Sequence, residues 1–377
     1  MAGYTALAPS AAAATSLAVA NTQKDRVALT NVRVFDGRAL SAPRTVVIDN
    51  GRIGLNAVGA RTIDCQGGAL LPGLIDCHVH LQDETTLQQL TGFGVTTALD
   101  MGNWPPSKIN ALRNRPGLTD IRSAGAPAVE PGSLQSRLPG FPADAVVTKP
   151  GQAAAFVRTR VAEGSDYIKI IVDVPGLDQP TLNALSAAAH AQGKRVNAHA
   201  PAAAAVDEAL SAGVDVVHHV PLDAALTAAT AQRFRSRNQI SVPTLTVMEG
   251  FAKLGIPGTS YDNARNSVTA LKRGGVPILA GTDSNTTPGI PVQPPFGVSL
   301  HHELELLVQA GLSTAEALRA ATSAPAQFFR LPDRGIIFPG ARADVVVVAG
   351  DPVADIRATR NITHIWAGGV EQPPATA

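Results

Sequence analysis

Hydrophobic patterning divides the chain into two textures. Between Arg26 and Gly67, short β-rich runs separated by turns read VALTNVRVFDG, TVVIDNGRIG and RTIDCQGG. Asp49-Asn50-Gly51 between apolar runs predicts a tight hairpin, because Asn and Gly tolerate the left-handed backbone such turns require. The same texture returns near the other end in GIIFPGARADVVVVAGD and ITHIWAGG. Neither end alone supplies enough strands for a stable sheet. The two are therefore expected to pair as a small composite β-sandwich domain, residues 23–69 with 332–377.

The stretch between them, residues 70–331, alternates short apolar runs with Ala/Leu-rich ones. Strands are predicted from Leu74 to Val79, Thr96 to Asp100, Ile121 to Gly125, Tyr167 to Val172, Arg195 to Ala198, Val214 to His218, Ser241 to Thr246 and Pro277 to Gly281. Helical patterns such as LNALSAAAHAQG, PAAAAVDEALSAG and TAEALRAATSAPAQFF follow most of them, several closed by Gly. Eight strands interleaved with helices over roughly 250 residues predict an α/β fold, a (β/α)8 TIM barrel carrying the catalytic residues. A doubly wound open sheet is the competing arrangement.

Composition narrows the partners. Thirty-one Lys and Arg against 30 Asp and Glu leave a net charge of +1 without a cationic run, which excludes the counterion-releasing surface that nucleic acid or anionic membrane requires. The apolar run from Ala6 to Ala20 is broken by Pro9, Ser10, Thr15 and Ser16 and cannot span a bilayer. Residues 1–22 are Ala-rich, with no Lys or Arg before Lys24, and read as a flexible tail or the remnant of a signal peptide. A cytoplasmic protein is expected, or a secreted one if the signal reading holds. Two cysteines, Cys65 and Cys77, cannot build a disulfide framework.

The nine histidines carry the candidate chemistry. Function gathers at the carboxyl ends of barrel strands. The first strand ends in Asp76-Cys77-His78-Val79-His80, where alternation puts His78 and His80 on one face. His199 ends the fifth strand, His218 and His219 the sixth, and Asp283 the eighth. Imidazoles and a carboxylate at the mouths of different strands suit zinc or a similar divalent ion. Lys169, flanked by isoleucines in the fourth strand, is either a core lysine paired with Asp173 or Asp283, or a neutral amine with work to do.

The segment GGALLPGLIDCHVHL, followed in order by GVTTALDMG, IKI, VNAHA, Val-Val-His-His-Val, VPTL and GTDS, resembles the amidohydrolase superfamily over roughly residues 28 to 370. The resemblance is strongest to the imidazolonepropionase-like branch that includes Xaa-Pro and other dipeptidases and ochratoxin-type amidases. It implies two divalent metal ions, zinc being the expected pair. His78 and His80 would hold the more buried ion, His199 and His219 the more exposed one. Lys169, N-carboxylated by carbon dioxide, would bridge them. Asp283 would ligate the buried ion and serve as general base for a metal-activated hydroxide. His218 takes the place of a common glutamate and would then point away from the lumen. The loops depart from the family pattern at Trp104-Pro105-Pro106, at Val172-Asp173-Val174-Pro175-Gly176 and at Pro201, which leaves the substrate open.

Loop residues expected near the mouth are Trp104 and Lys108, Arg137 and Phe141, Met248 and Phe251, Asn285 and Phe296, and His302. Trp104, Arg137, Met248, Phe251 and His302 are the candidates for substrate contact, with Arg137 the first choice for clamping a carboxylate; the alternative is that the aromatic residues merely pack the loops. His190 and His364 read as non-catalytic. The expected activity is metal-dependent hydrolysis of an amide bond in a small molecule such as an N-acyl amino acid or a dipeptide. Lactone or carbon–carbon bond hydrolysis by the same site is the alternative, a metal-free binding protein a third reading. A homo-oligomer is left open.

Overall fold

The computed structural model describes residues 26–375. The segment 1–22, expected to be a tail or signal remnant, lies outside the described residues. Strands of the two chain ends are joined directly: Val345–Val348 pairs antiparallel with Ala69–Pro72, and Val27–Val34 pairs with Arg44–Asp49, Arg61–Asp64 and Ala69–Pro72. The hairpin turns at Asn50 and Gly51, at φ +48° and +81°, as Asn-Gly in a tight turn should. These strands form one hydrogen-bonded set of eight, so the expected sandwich is not shown as two separate sheets. Val27–Val34 joins the two halves: Val27 to Thr30 pair with Arg61–Asp64, and Arg33 and Val34 pair with Ala69 and Leu70. Val27, Leu29, Val46, Ile48, Leu70, Val345, Val347 and Trp366 pack a separate apolar core there.

The middle of the chain is TIM-barrel-like. Leu74–Val79, Val95–Asp100 and Asp120–Ser123 form one parallel sheet, and Ile168–Ile171, Val196–His199, Val216–His218 and Ile240–Val242 form a second. Single parallel bridges, Ala128↔Ile170, Ser241↔Ile278 and Val79↔Ser284, link the segments in between. The eighth predicted strand, Pro277 to Gly281, is therefore an extended segment with isolated bridges. Its Ala280 amide donates to the Ala320 carbonyl at the end of a helix instead of to a neighbouring strand. The seventh strand also stops short of its predicted end, because Leu245–Ala252 is already helical. Helices between strands carry the expected signals: Asp83, Asp178 and Ser260 cap helix starts, and Gly213 closes Ala203–Ala212 at φ +74°. No described helix is long and apolar enough to cross a membrane.

Candidate metal centre

Alternation along the strands decides which side chains enter the barrel. Ile75, Cys77, Val216, Ile240 and Leu279 share an inner cluster, whereas Val79, Ile168, Ile170, Val196, Ala198 and Val217 belong to the layer under the helices. Lys169 and Asn197 lie between outward neighbours, and His218 follows the outward Val217, so all three turn inward. In the first strand the register shifts between Asp76 and Val79, so that Val79 faces the helices and His78 and His80 both face the lumen.

Three further residues reach the site through positive φ: His219 at +71°, Thr244 at +49° and Asp283 at +59°. Each is a non-glycine residue in the left-handed region, a conformation that costs about 1–3 kcal/mol and persists where the surroundings enforce it. At His219 the turn lets two successive histidines, 218 and 219, face the same centre. Asp76 supplies part of the enforcement at Asp283. Its buried carboxylate accepts from the His78 amide at 3.1 Å, the Thr282 amide at 3.1 Å and the Thr282 hydroxyl at 2.7 Å, clamping the eighth segment against the first strand.

The result is a compact cluster. Asp283 Oδ1 lies 3.3 Å from His78 Nε2 and 3.1 Å from His80 Nε2, and these three residues offer ligand atoms all within 4.8 Å of one another. The rings of His199 and His219 meet edge-on at 4.5 Å between centroids, and those of His78 and His219 lie 5.0 Å apart. His219 Nδ1 is fixed by the Thr244 hydroxyl at 2.8 Å, which leaves Nε2 buried and without a partner. Lys169, 2% exposed, also has no partner at Nζ, so neither core ion pair anticipated for it is present. Burial brings its pKa down to about 7 against the opposing charge of Asp283. A share of the amine is then neutral at neutral pH.

Burial, followed by neighbouring positive charge, holds His78, His199 and His219 below the ordinary imidazole range. At His80 burial acts the same way, but Asp283 and Asp100 outweigh it and leave the group raised. Neutral imidazoles with free lone pairs, an unpartnered amine and a carboxylate are the donor set a divalent cation needs. The residues therefore fit metal binding.

His218 departs from expectation. It does not point away from the lumen; its Nδ1 is 3.0 Å from Nδ1 of His78, and its Nε2 is 3.0 Å from Oδ1 of Asn197. With His78 Nε2 turned to Asp283, the pattern assigns the tautomers: His78 Nδ1–H donates to His218, and His218 Nε2–H donates to Asn197. His190 is exposed and paired with Asp215, His301 is buried between the Thr359 hydroxyl and the Phe93 carbonyl, and His364 stacks on Trp366 in the small sheet.

Around the mouth, Trp104 Nε1 donates to the Pro139 carbonyl at 3.0 Å and its ring meets Phe141 edge-on at 4.9 Å, so this pair packs two loops together. Arg137 is exposed on a short turn, Gln135–Arg137, with no acidic partner within 4.0 Å among the described residues. Met248 is 3% exposed in the main apolar core, and Phe251 packs partly against the same core. His302 Nε2 is 3.1 Å from Glu249, tying two helices together.

Several site residues escaped the sequence reading. Thr244 and Asn197 orient histidines, and Glu303 accepts from the Leu245 and Thr246 amides and the Thr246 hydroxyl at the start of the helix that follows Thr244. Asp173, anticipated as a partner of Lys169, instead lies 3.7 Å from His199, its pKa pushed up to about 6 by burial and then by Glu130. The only sequence signal was an acid or amide set inside an otherwise apolar strand, as at Asp76 and Asn197.

Comparison with known proteins agrees with this architecture. The chain is 26% identical over 353 residues to an uncharacterized protein of Mycobacterium tuberculosis (strain ATCC 25618 / H37Rv), covering 84% of this chain and 89% of that one. It is 28% identical over 330 residues to an adenine deaminase of Geobacillus kaustophilus, covering 82% of this chain but only 50% of the deaminase. A solved Xaa-Pro dipeptidase with methionine in its active site superposes with a TM-score of 0.77 at 22% identity, over 93% of this chain and all of the dipeptidase. The model of the amidohydrolase family matches residues 69–371, from the last strand of the amino-terminal segment through the barrel to the closing strands. The chain is thus a member of the amidohydrolase family, and a metal-dependent hydrolase by that membership.

Proposed function

We propose that this protein hydrolyses an amide bond in a small molecule, an N-acyl amino acid or a dipeptide, at a binuclear metal centre. The observation that carries the reading is the convergence of five imidazoles, an unpartnered buried Lys169 amine and Asp283 on one point at the strand ends. In this reading residues 70–331 form the catalytic domain. His78, His80 and Asp283 would hold one ion and His199 and His219 the other, with Lys169, carboxylated on its nitrogen, supplying a further anionic ligand; zinc is the expected metal. Such ions supply a Lewis acid for the scissile carbonyl and lower the pKa of water toward neutrality.

The chain's own groups do the rest. The neutral Lys169 amine attacks the carbon of carbon dioxide, one carbon–oxygen π pair moves to oxygen, and nitrogen loses a proton, leaving an anion where a cation would repel both metals. Asp283 orients the attacking water, receives its proton and passes it to the leaving nitrogen. Thr244 and Asn197 keep the imidazoles turned inward, and Arg137 is free to meet a substrate carboxylate at the rim.

A substrate panel tests the reading: N-acyl amino acids, dipeptides, lactones and adenine, assayed with the metal-loaded protein. Amide cleavage that falls by about 10²–10⁴-fold in Asp283→Asn, with metal retained, is the expected result. Activity on lactones or adenine alone overturns the amidase reading, and unchanged turnover removes Asp283 from proton transfer.

A further inference from the structure

At the end of the barrel opposite the histidines, a cavity of about 420 Å³ opens among residues that lead into three strands. Tyr167 precedes Ile168–Ile171, Lys194 and Arg195 precede Val196–His199, and Asp215 precedes Val216–His218. His199 and His218 end two of these same strands, so a strand length, about 13 Å, separates the cavity from the metal centre.

Its charge is unbalanced. Arg122, Lys194, Arg195 and Arg330 line it against two carboxylates, Asp166 and Asp215. Both carboxylates already have partners, Asp215 among them with His190, which also lines the cavity. Asp166 accepts from Arg113 and from the Ser123 amide, each at 2.8 Å. Asp215 is bonded to His190 at 2.8 Å and to the Val196 amide at 2.7 Å. Arg122 is answered by Asp120 at 3.1 Å, outside the cavity. That leaves Lys194 with the Ser165 carbonyl at 2.7 Å, and Arg195 with a long 3.9 Å approach to Asp215 and the face of the Phe328 ring, whose centroid lies 3.9 Å from the guanidinium carbon. Arg330 has no acidic partner within 4.0 Å among the described residues. Burial pulls the Arg195 guanidinium down from its ordinary value; Asp215 opposes the shift and the charge of Arg330 adds to it.

The backbone sharpens the point. Arg330 has φ +55°, following the helix Ser323–Phe328, where glycine is the favoured residue. The fold thus holds an arginine against local preference at the cavity's edge. One wall is aromatic: Phe329 and Tyr167 have ring centroids 5.7 Å apart, and the Tyr167 hydroxyl is spent on the Asp100 and Arg122 carbonyls. The volume falls in the range of small-molecule sites, roughly 300–1,000 Å³, and well above what a bare anion fills.

We propose that this cavity binds a small organic oxyanion, a phosphate or carboxylate carried on an aromatic body. Arg330, Arg195 and Lys194 hold the oxyanion, and the ring lies against Phe329 and Tyr167. The proposal is independent of the reaction at the metal centre.

Calorimetric titration of the metal-loaded protein with phenyl phosphate tests it. Any binding at the metals is common to all variants, so the readout is the component that depends on Arg330. Arg330→Gly suits the positive φ and should melt no lower than the parent, yet weaken that component about tenfold or more; Arg330→Lys should retain most of it. Lys194→Gln, as a second variant, should weaken the same component, and added salt should screen it. Identical isotherms for the parent and both Arg330→Gly and Lys194→Gln, or no saturable binding into the millimolar range, overturn the proposal. Phenol binding as well as phenyl phosphate overturns the oxyanion, and inorganic phosphate binding equally well overturns the aromatic body.

Discussion

His218 sits behind a candidate metal ligand where a charged carboxylate often orients such a ring. Here the chain His78, His218, Asn197 is neutral throughout: His78 Nδ1–H donates to His218 Nδ1, and His218 Nε2–H donates to the Asn197 carbonyl. It fixes the His78 ring without adding charge. His218→Ala should weaken metal binding by about 10- to 100-fold, measured by competition with a chelating dye; undiminished affinity would show that packing alone orients His78. Lys169 is the second residue whose surroundings speak. An isolated buried ammonium has no stabilising partner here, so Lys169→Ala should lose metal and recover part of it with short carboxylic acids, read as metal content after dialysis. Full metal retention in the variant would contradict a bridging carbamate. The sequence showed both residues but not their partners: His218 was expected to face outward because the family resemblance gives the inward ligand position to His219, whereas the turn at His219, φ +71°, brings both rings to the centre.

At the scale of elements, the helix Leu245–Ala252 is held at its start by Glu303 from Val298–Gln309, which accepts three hydrogen bonds there. Thr244, immediately before that helix, orients His219, so the carboxylate supports the site from one layer away. Burial raises the Glu303 pKa to about 8 in spite of its three donors. The unfolded value is about 4.3. The folded protein therefore binds the extra proton between those values, and this contribution to stability is present at low pH and is lost as pH rises through about 8. The melting temperature of the parent should fall more steeply from pH 5 to 8 than that of Glu303→Gln, which cannot ionise; parallel profiles would mean that Glu303 is ionised throughout. Most elements were legible in the pattern, the Asn50-Gly51 hairpin and the first six barrel strands among them. The eighth strand was not, since its apolar run is right but its hydrogen bonds are divided between Ser241, Cys77 and Ala320, a division set by neighbours far away in sequence.

For the whole molecule, a centre that gathers ligands from both parallel sheets and the eighth segment should couple metal to global stability. A ligand at a hundred times its dissociation constant stabilises by about 2.7 kcal/mol. Exhaustive chelation should lower the melting temperature, and restoring zinc should raise it again; an unchanged transition would mean that the cluster holds no ion in the folded protein. The sequence by itself determined the two textures of the chain, the pairing of its ends and the barrel-like middle, and it offered His78, His80, Lys169, His199, His219 and Asp283 as candidates, with the choice of His219 over His218 resting on the family resemblance. Periodicity and residue type carry that information locally. Tertiary structure alone decided that the terminal strands merge into one sheet, that Lys169 lacks a counter-ion, that His218 braces His78, and that an unbalanced cationic cavity lies at the far end. Each of these depends on which groups from distant segments are left without partners, and no local pattern records that.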